Sequence, residues 1–510
     1  MVNSIPDTEQ DDPANSSERH FRTDHLMKDL KGHSVRGGAI TIVTQGLKFI
    51  LQMGSTMVLA RLLTPVDYGL VAMVTVVTGS LGIIKDAGLS AATVQRESIT
   101  HGQVSTLFWI NVVFSALLMF FTAALAPAIA WFYQEPRLTA ITLVLAGSFL
   151  FAGLTVQHSA LLRRQMKFGV LAVIDIMSMA IGFGIGIVIA ILTSSYWALV
   201  GMAVVGSVVS CLGHWLASGW MPGLPRRGTG VMPMLRFGGN LTGFNFVSHF
   251  GRNTDRFLIG WWWGAGPLGI YTKAYGLLMV PIYQINTPFT QVALPALSRL
   301  KASPLEYKQF YCQAVFAITS VGVPLVAAAL CLIDSMVLLI LGEQWMGAVP
   351  VFLALGPAAL LGTFNVATGW VYQSIGHVHI QFRWGGFSAF ILALAFIIGL
   401  PGGPVSVAIA YSIASIIMYP IGVYVCFRKT CLSPKDLIKA IRIPFAASAL
   451  ASVTILTIRN LTPELEAIGE LLVLGTIFSV TYFAVWLILS GRKAQIKVLK
   501  GFLSKKVPHE

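Results

Sequence analysis

Residues 236–300 read RFGGNLTGFNFVSHFGRNTDRFLIGWWWGAGPLGIYTKAYGLLMVPIYQINTPFTQVALPALSRL. This stretch is apolar enough to span a bilayer, yet it carries five ionisable side chains: His249, Arg252, Asp255, Arg256 and Lys273. Ionisable groups at membrane depth are costly, so they usually face a partner or a water-filled path. His249, Arg252 and Arg256 follow at i, i+3 and i+7, and Asn245 extends this helix face by one turn. The pattern predicts a membrane-spanning segment with a functional polar face, on which Asp255 is close enough to pair with Arg252.

The composition of the whole chain agrees with a membrane protein. Of its 510 residues, 55% are hydrophobic and 11% are charged, whereas soluble proteins carry about 25% charged residues. The mean hydropathy of +0.74 predicts many bilayer spans. The five cysteines show no metal or disulfide spacing, so we interpret them as packing residues. No cofactor and no metal site are predicted.

Fourteen apolar segments have the length of a spanning helix, about 20 residues. They lie near 38–60, 66–84, 104–130, 138–158, 168–192, 196–217, 237–262, 267–292, 310–333, 347–372, 384–400, 405–427, 437–458 and 468–490. The polar residues before them contain no signal peptide pattern. The predicted organisation is an all-α polytopic membrane protein with a cytoplasmic N-terminal tail (1–36), a six-helix bundle (37–217), a cytoplasmic linker (218–236), a second six-helix bundle (237–427), two extra helices (437–490) and a basic cytoplasmic tail (491–510).

The distribution of lysine and arginine predicts the orientation. The N-terminal tail, every second loop and the C-terminal tail together hold 28 of them, whereas the alternate loops hold three. Four more fall inside predicted helices, namely Lys48, Arg252, Arg256 and Lys273. This bias predicts that both termini are cytoplasmic. It also explains the net charge of +14 without a nucleic-acid partner.

The chain repeats itself after about 200 residues. RGGAITIVTQGLKF from Arg36 matches RFGGNLTGFNFVSHF from Arg236, and TPVDYGLVAM from Thr64 matches GAGPLGIYTKA from Gly264, which superimposes Gly69 on Gly269. Six segments separate the two starts, and an even number gives both halves the same orientation. The repeat therefore predicts two parallel bundles around a central cavity, related by an axis along the membrane normal.

The repeat also pairs the polar face at Arg252 with a second one in the first segment. That face consists of Thr41, Gln45, Lys48, Gln52 and Ser55, and Gln52 superimposes on Arg252. Cations outnumber anions on the two faces, so a cavity between them would suit an anionic solute or headgroup. The alternative interpretation is a cluster of ion pairs that only holds helices together, and the two roles are compatible.

Other features are open to two interpretations. Asp175 is a lone carboxylate in the fifth segment, either a proton or Na⁺ coupling site or a hydrogen-bonded structural residue. Pro281, Pro288 and Pro295 recur every seven residues in the eighth segment, where they form hinges or a permanently bent helix. A nucleotide-binding GxxxxGK[ST] motif, an HExxH motif and a Cys/His metal cluster are all missing from the sequence, which argues against direct use of ATP and against an enzyme.

Three motifs together resemble the polysaccharide transporter family, of the lipopolysaccharide and colanic-acid exporter type, within the superfamily of multidrug extrusion proteins and oligosaccharidyl-lipid flippases. They are LARLLTPVDYGLVAM (59–73), DAGLSAATVQ (86–95) and the run from Asn240 through Asp255, Ile259, Gly260, Leu268, Gly269, Ile270, Tyr271, Ala274, Pro281, Leu294 and Pro295 to Ser298. The resemblance covers about residues 36–430.

The resemblance implies a flippase that moves undecaprenyl-pyrophosphate-linked oligosaccharides across the bacterial inner membrane by alternating access, for surface polysaccharide biosynthesis. Membrane lipids and a polysaccharide polymerase with its chain-length machinery are its implied partners. Cationic cavity residues of the family are associated with the pyrophosphate or with acidic sugars. The predicted substrate-binding residues are Lys48, Gln52, Asn245, Arg252, Asp255, Arg256 and Lys273.

Three alternatives stay open at this point. A multidrug or small-cation antiporter would share the architecture but would favour acidic residues in the cavity. A lipid II-type flippase also has fourteen spans, and its last two helices form a groove for the lipid tail. A membrane ligase or polymerase would need large outer loops with catalytic residues, whereas the longest outer loop predicted here is Asp334–Gly347.

Overall fold

The computed structural model describes residues 30–82, 90, 93–94, 96, 99–225, 253–428, 430–461 and 466–490, with α1 side chains at 40 and from 43 onward. Within these residues the fold is entirely helical, as predicted. Its α-helices are α1 (Leu30–Leu62), α2 (Pro65–Gly82), α3 (His101–Tyr133), α4 (Arg137–Arg164), α5 (Phe168–Thr193), α6 (Trp197–Ser218), α7 (Thr254–Trp263), α8 (Ala265–Arg299), α9 (Pro304–Cys331), α10 (Ile333–Ile340), α11 (Ala348–Ile375), α12 (Val378–Gly399), α13 (Gly403–Phe427), α14 (Pro434–Leu461) and α15 (Ala467–Ser490).

Ten candidate membrane spans satisfy both length and hydropathy among the described residues, and one of them joins α12 and α13 through a 3₁₀ turn. Every predicted segment has a helix at its place, although only residues 254–263 of the seventh are described. Apolar runs alone predict the described helix ends to within about eight residues, because each run ends where polar or turn-forming residues begin. The chain is therefore a multi-pass membrane protein.

Local signals fix the helix ends. Thr100 caps α3 through its hydroxyl, which accepts from the backbone of Gln103, while the Gln103 side chain accepts from the backbone of Thr100. The α3–α4 turn contains Glu135, whose carboxylate accepts two hydrogen bonds of 2.8 Å from Arg137. These bonds hold the pKa of Glu135 below its usual range. At the end of α11, Gly376 adopts φ +89°, a conformation that favours glycine and stops the helix.

The helix α8 continues through Pro281, Pro288 and Pro295 without a break over 35 residues. Each of these prolines removes one backbone hydrogen bond. The neighbouring helices α9 and α11 pack along α8 and support it there.

The chain forms two compact units. The first contains α1, most of α2 and α3 to α6, and the second contains residues 64–69 and α7 to α15. The predicted extra helices α14 and α15 thus pack within the second unit, where α14 lies against α9.

The same helix neighbours recur in both units. In the first unit α3 packs on α4, α5 on α6, α6 on α4 and α1 on α5. In the second unit their counterparts under the 200-residue shift do the same: α9 packs on α11, α12 on α13, α13 on α11 and α7 on α12. The sequence repeat is therefore a repeat of internal helix packing.

A polar network joins the last helix pair to the start of α10. Arg459 of α14 forms ion pairs with Asp334, at 3.1 Å, and with Glu470 of α15, at 2.9 Å. The hydroxyl of Ser335 donates to the other oxygen of Glu470. The segment predicted as a loop, Asp334–Gly347, is mostly helical. It contains most of α10 and a 3₁₀ turn that ends at the fully buried Trp345.

Candidate functional site

Two predicted site residues meet in the first unit. The ammonium nitrogen of Lys48 in α1 lies 2.5 Å from a carboxylate oxygen of Asp175 in α5, and it donates a hydrogen bond to it. The side chains are 26% and 41% exposed, so the pair lies at the edge of the packed bundle. Asp175, the lone carboxylate of the fifth segment, therefore has a partner on another helix, because α1 packs along α5 and brings Lys48 to it.

The other residues of the predicted polar face of α1 differ in their exposure. Gln45 and Gln52 are exposed, whereas Ser55 is buried. Gln52 and Lys48 are four residues apart and therefore neighbours on this helix. The predicted face thus provides an exposed amide beside a paired cation.

Asp255 and Arg256 begin α7 in the second unit, beside two tyrosines of α8. Asp255 is 3% exposed, and one of its carboxylate oxygens accepts a hydrogen bond of 2.7 Å from the Tyr271 hydroxyl. The guanidinium carbon of Arg256 lies 4.7 Å from the centre of the Tyr275 ring. Tyr271 and Tyr275 stack on each other, so one turn of α8 supports both charged residues. The neighbouring charges of Asp255 and Arg256 are thus both contacted by tyrosines of the same helical turn.

Lys273 lies on α8 between two aromatic rings. Its ammonium nitrogen is 3.6 Å from the centre of the Tyr68 ring and 5.9 Å from that of Trp345. The two rings meet edge to face at 5.3 Å. Cation–π attraction is strongest where the cation is desolvated, so the two rings offset part of the cost of burying this ammonium group. The partners of Lys273 come from the start of α2 and from the 3₁₀ turn that follows α10.

The predictions for Asn245 and Arg252 lie outside the described residues. The supporting residues Tyr271, Tyr275, Tyr68 and Trp345 were not identified as site residues from the sequence. Tyr271 is part of the family motif, and Tyr68 lies in TPVDYG, one of the repeated segments. These motifs could have directed attention to both.

The repeated glycines Gly69 and Gly269 pack against each other's segments within the second unit. A Cβ atom on Gly69 would lie 1.7 Å from the carbonyl oxygen of Ala265, and one on Gly269 would lie 1.9 Å from that of Pro65. Both glycines are needed because the starts of α2 and α8 approach backbone to backbone. This approach sets the position of Tyr68 over Lys273.

An apolar groove runs between α9 and α15, with Phe289 of α8 at one side. Its volume is about 690 Å³, and its walls include Phe316, Pro324, Phe478 and Phe483. The Tyr482 hydroxyl and the Trp486 indole both donate hydrogen bonds to Ser320 of α9, which fixes α15 beside the groove.

The fold and these charged, helix-embedded groups define a polytopic membrane protein of the transporter class, made of two helical bundles. The sequence profile of the family described as "Polysaccharide biosynthesis protein" matches residues 58–350, and the chain belongs to this family. The predicted family is thereby confirmed.

Two curated relatives match most of the chain. The teichuronic acid biosynthesis protein TuaB of Bacillus subtilis (strain 168) is 27% identical over 430 residues, which cover 84% of this chain and 87% of that protein. The lipopolysaccharide biosynthesis protein WzxC of Escherichia coli (strain K12) is 24% identical over 427 residues, which cover 82% of this chain and 86% of that protein.

Solved structures share the fold. The lipid II flippase MurJ in an inward closed conformation superimposes with a TM-score of 0.70 at 14% identity, covering 89% of this chain and 99% of that chain. An inward-facing multidrug resistance MATE family transporter superimposes with a TM-score of 0.54 at 16% identity, covering 74% of this chain and 93% of that chain.

Proposed function

We propose that this protein is a flippase that translocates oligosaccharides linked to undecaprenyl pyrophosphate across a bacterial membrane for surface polysaccharide biosynthesis. The observation that carries the proposal is the family match over residues 58–350. The relatives are named for the biosynthesis of teichuronic acid and lipopolysaccharide, both surface polysaccharides. The fold shared with a lipid flippase supports the same function.

The cations in the spanning helices are the proposed headgroup contacts. Arginine and lysine donate charge-assisted hydrogen bonds to phosphate oxygens, and a guanidinium does so with two parallel donors. Both Arg256 and Lys273 lie over aromatic rings, which support their positive charges. Gln52, Asn245, Arg252 and Asp255 complete the proposed set.

Asp175 is the proposed coupling residue. In the structure its carboxylate is paired with Lys48. Protonation of Asp175 would remove the negative charge and free the ammonium group for an anionic headgroup. This exchange would link proton binding to substrate binding, as a transporter driven by an ion gradient requires.

We place the protein in the inner membrane, with both termini in the cytoplasm, on the strength of the lysine and arginine bias. Alternating access is the proposed mode of transport, and it rests on the parallel repeat. A polysaccharide polymerase and its chain-length machinery are the proposed partners downstream of translocation. The prenyl tail is assigned to the apolar groove between α9 and α15.

The test is translocation in vesicles that contain the full-length protein. The probe is a fluorescent oligosaccharide on undecaprenyl pyrophosphate, and a membrane-impermeant quencher reports the fraction exposed outside. We expect rapid exchange between leaflets with the wild-type protein. Arg256→Ala should slow it about tenfold, the loss expected for one charge-assisted contact of about 1.5 kcal/mol.

Arg383→Ala is the matched control, because Arg383 is an exposed arginine on α12. It should exchange the probe at the wild-type rate, and Arg256→Lys should fall between the two because it keeps the charge without the planar donors. Exchange no faster than in protein-free vesicles would contradict the proposed function. Export of cationic drugs without exchange of the lipid would instead favour the antiporter.

A further inference from the structure

A second cavity lies inside the second unit, between α11, α12 and α13. Its volume is about 170 Å³, smaller than the roughly 300–1,000 Å³ of pockets for drug-sized ligands. The space suits a single six-membered sugar ring. It is separate in chemistry from the groove between α9 and α15, because its walls are rich in hydroxyl and amide groups.

All of the residues that line this cavity are uncharged. A pyrophosphate would therefore meet no cation here, and a metal ion would meet no carboxylate. Neutral donors and acceptors are supplied by Asn365, Thr368, Ser388 and Ser415. A hydrocarbon chain would leave these groups unpaired in an apolar surrounding, which is costly. The lining thus selects a ligand that is neutral and polar.

Aromatic rings form the other part of the lining. They are Tyr372, Trp384, Tyr411 and Tyr419. Trp384 is seated against Gly422, where an added Cβ atom would lie 2.9 Å from the indole nitrogen. The hydroxyl of Tyr419 is buried, and it makes no hydrogen bond with any residue that the structure describes. Aromatic faces pack against the C–H faces of a pyranose ring, while a phenol hydroxyl and an amide bind its hydroxyls.

We infer that this cavity binds one neutral sugar ring of the translocated oligosaccharide. The inference rests on the proposed function, because the translocated oligosaccharide is the source of the sugar ring. Two sites would then bind different parts of the substrate. Cations of the spanning helices contact the pyrophosphate, and the neutral aromatic cavity binds a sugar. Such a site would give the transporter selectivity among oligosaccharides that share one headgroup.

Gly362 of α11 provides the test, since it lines the cavity and an added Cβ atom there would meet no atom within 4 Å. Gly362→Leu therefore fills the cavity without a backbone clash. Gly386→Leu is the matched control, because Gly386 on α12 also has open space around it and does not line the cavity. Both changes place the same side chain on a spanning helix.

The measurement is saturation-transfer NMR on the full-length protein in nanodiscs, with D-glucose, D-galactose and N-acetylglucosamine as separate probes. We expect signal transfer to at least one of these sugars, none above background to the open-chain polyol sorbitol, and a loss of about tenfold in Gly362→Leu but not in Gly386→Leu. Absence of transfer to all three sugars, or an unchanged signal in Gly362→Leu, would overturn the inference. Transfer to tetramethylammonium in place of the sugars would also overturn it, because it would assign the aromatic rings to a cation.

Lipid exchange in vesicles, measured in parallel, separates this inference from the proposed function. Exchange by the wild-type protein without sugar binding would refute the sugar site alone. Sugar binding without lipid exchange would refute the flippase and leave the binding site standing.

Discussion

Lys48 and Asp175 neutralise each other at the edge of the first unit, where α1 meets α5. We predict that Lys48→Ala and Asp175→Asn each slow lipid exchange, because each leaves one unpaired charge beside apolar helices. The double variant Lys48→Asp/Asp175→Lys restores the ion pair with the positions of the two charges exchanged. If the pair only holds α1 to α5, the exchanged pair should recover stability and transport together. If Lys48 also binds the headgroup, stability should recover by about 1 kcal/mol while transport stays low.

The unfolding midpoint in detergent and the exchange rate in vesicles are the two measurements. Asp175→Asn carries a further expectation, because an amide cannot take up a proton at this position. In this variant an imposed proton gradient should no longer accelerate exchange. Acceleration equal to that of the wild-type protein would exclude Asp175 as the coupling residue.

Tyr271 provides the hydrogen bond that supports the buried carboxylate of Asp255. We predict that Tyr271→Phe lowers the free energy of unfolding by about 2 kcal/mol, since a buried acceptor loses its donor. Tyr283→Phe is the control on the same helix, because Tyr283 is 56% exposed. Thermal unfolding in detergent should separate the two, and equal midpoints would show that the bond to Asp255 contributes little.

The sequence predicted which charged residues lie in spanning helices but not what they contact. Helical spacing places residues on one face, and it cannot say which other helix that face meets. The pair of Lys48 and Asp175 joins residues 127 positions apart, and Tyr68 meets Lys273 over an even longer separation. Such contacts depend on the packing order of the helices, which no local pattern contains.

Among the elements, the starts of α2 and α8 have the closest contact. We predict that Gly69→Ala and Gly269→Ala each destabilise the protein by about 3 kcal/mol, because the added methyl group meets a backbone carbonyl that cannot rotate away. Gly276→Ala on α8 is the control, since no atom lies within 4 Å of its added Cβ. That substitution should be neutral or stabilise by about 0.5 kcal/mol, as alanine is the better helix former.

The quantity to compare is the amount of folded protein recovered from membranes, together with its unfolding midpoint. Wild-type behaviour of both Gly69→Ala and Gly269→Ala would show that the backbones can separate at this contact. The repeat in the sequence had superimposed these two glycines, and the structure gives the reason for their presence. The eight-residue helix α10 had no comparable signal, because the segment from Asp334 is too short to stand out as a helix.

For the whole molecule, hydropathy and the repeat predicted fourteen of the fifteen described α-helices and the membrane-protein class, because both follow from summing many weak local signals. The last two helices pack into the second unit through an apolar cluster that includes Leu332, Ala447 and Phe478, and through a few long-range ion pairs. Arg459 reaches α10 and α15, and Lys308 of α9 pairs with Asp436 of α14 at 2.9 Å. The sequence had marked these helices only as additional. Their attachment creates the groove beside α9, which a free helix pair would not form.

The proposed role of this groove can be tested by comparing lipids with prenyl tails of different length. Ser479 of α15 lines the groove, whereas its neighbour Val480 is 63% exposed and does not. We predict that Ser479→Trp weakens binding of undecaprenyl pyrophosphate about tenfold, because the indole takes the volume that the tail would fill. Val480→Trp adds the same ring to the same helix and should bind as the wild-type protein does.

Native mass spectrometry of the full chain with lipids of two lengths makes the comparison. Geranyl pyrophosphate has the same headgroup and a short tail, so its weaker binding should be unaffected by Ser479→Trp. Equal loss for both lipids would mean that the substitution disturbs the headgroup site from a distance. Unchanged binding of the long lipid would leave the groove without a tail, and the prenyl chain would then remain among the bilayer lipids while the headgroup is carried across.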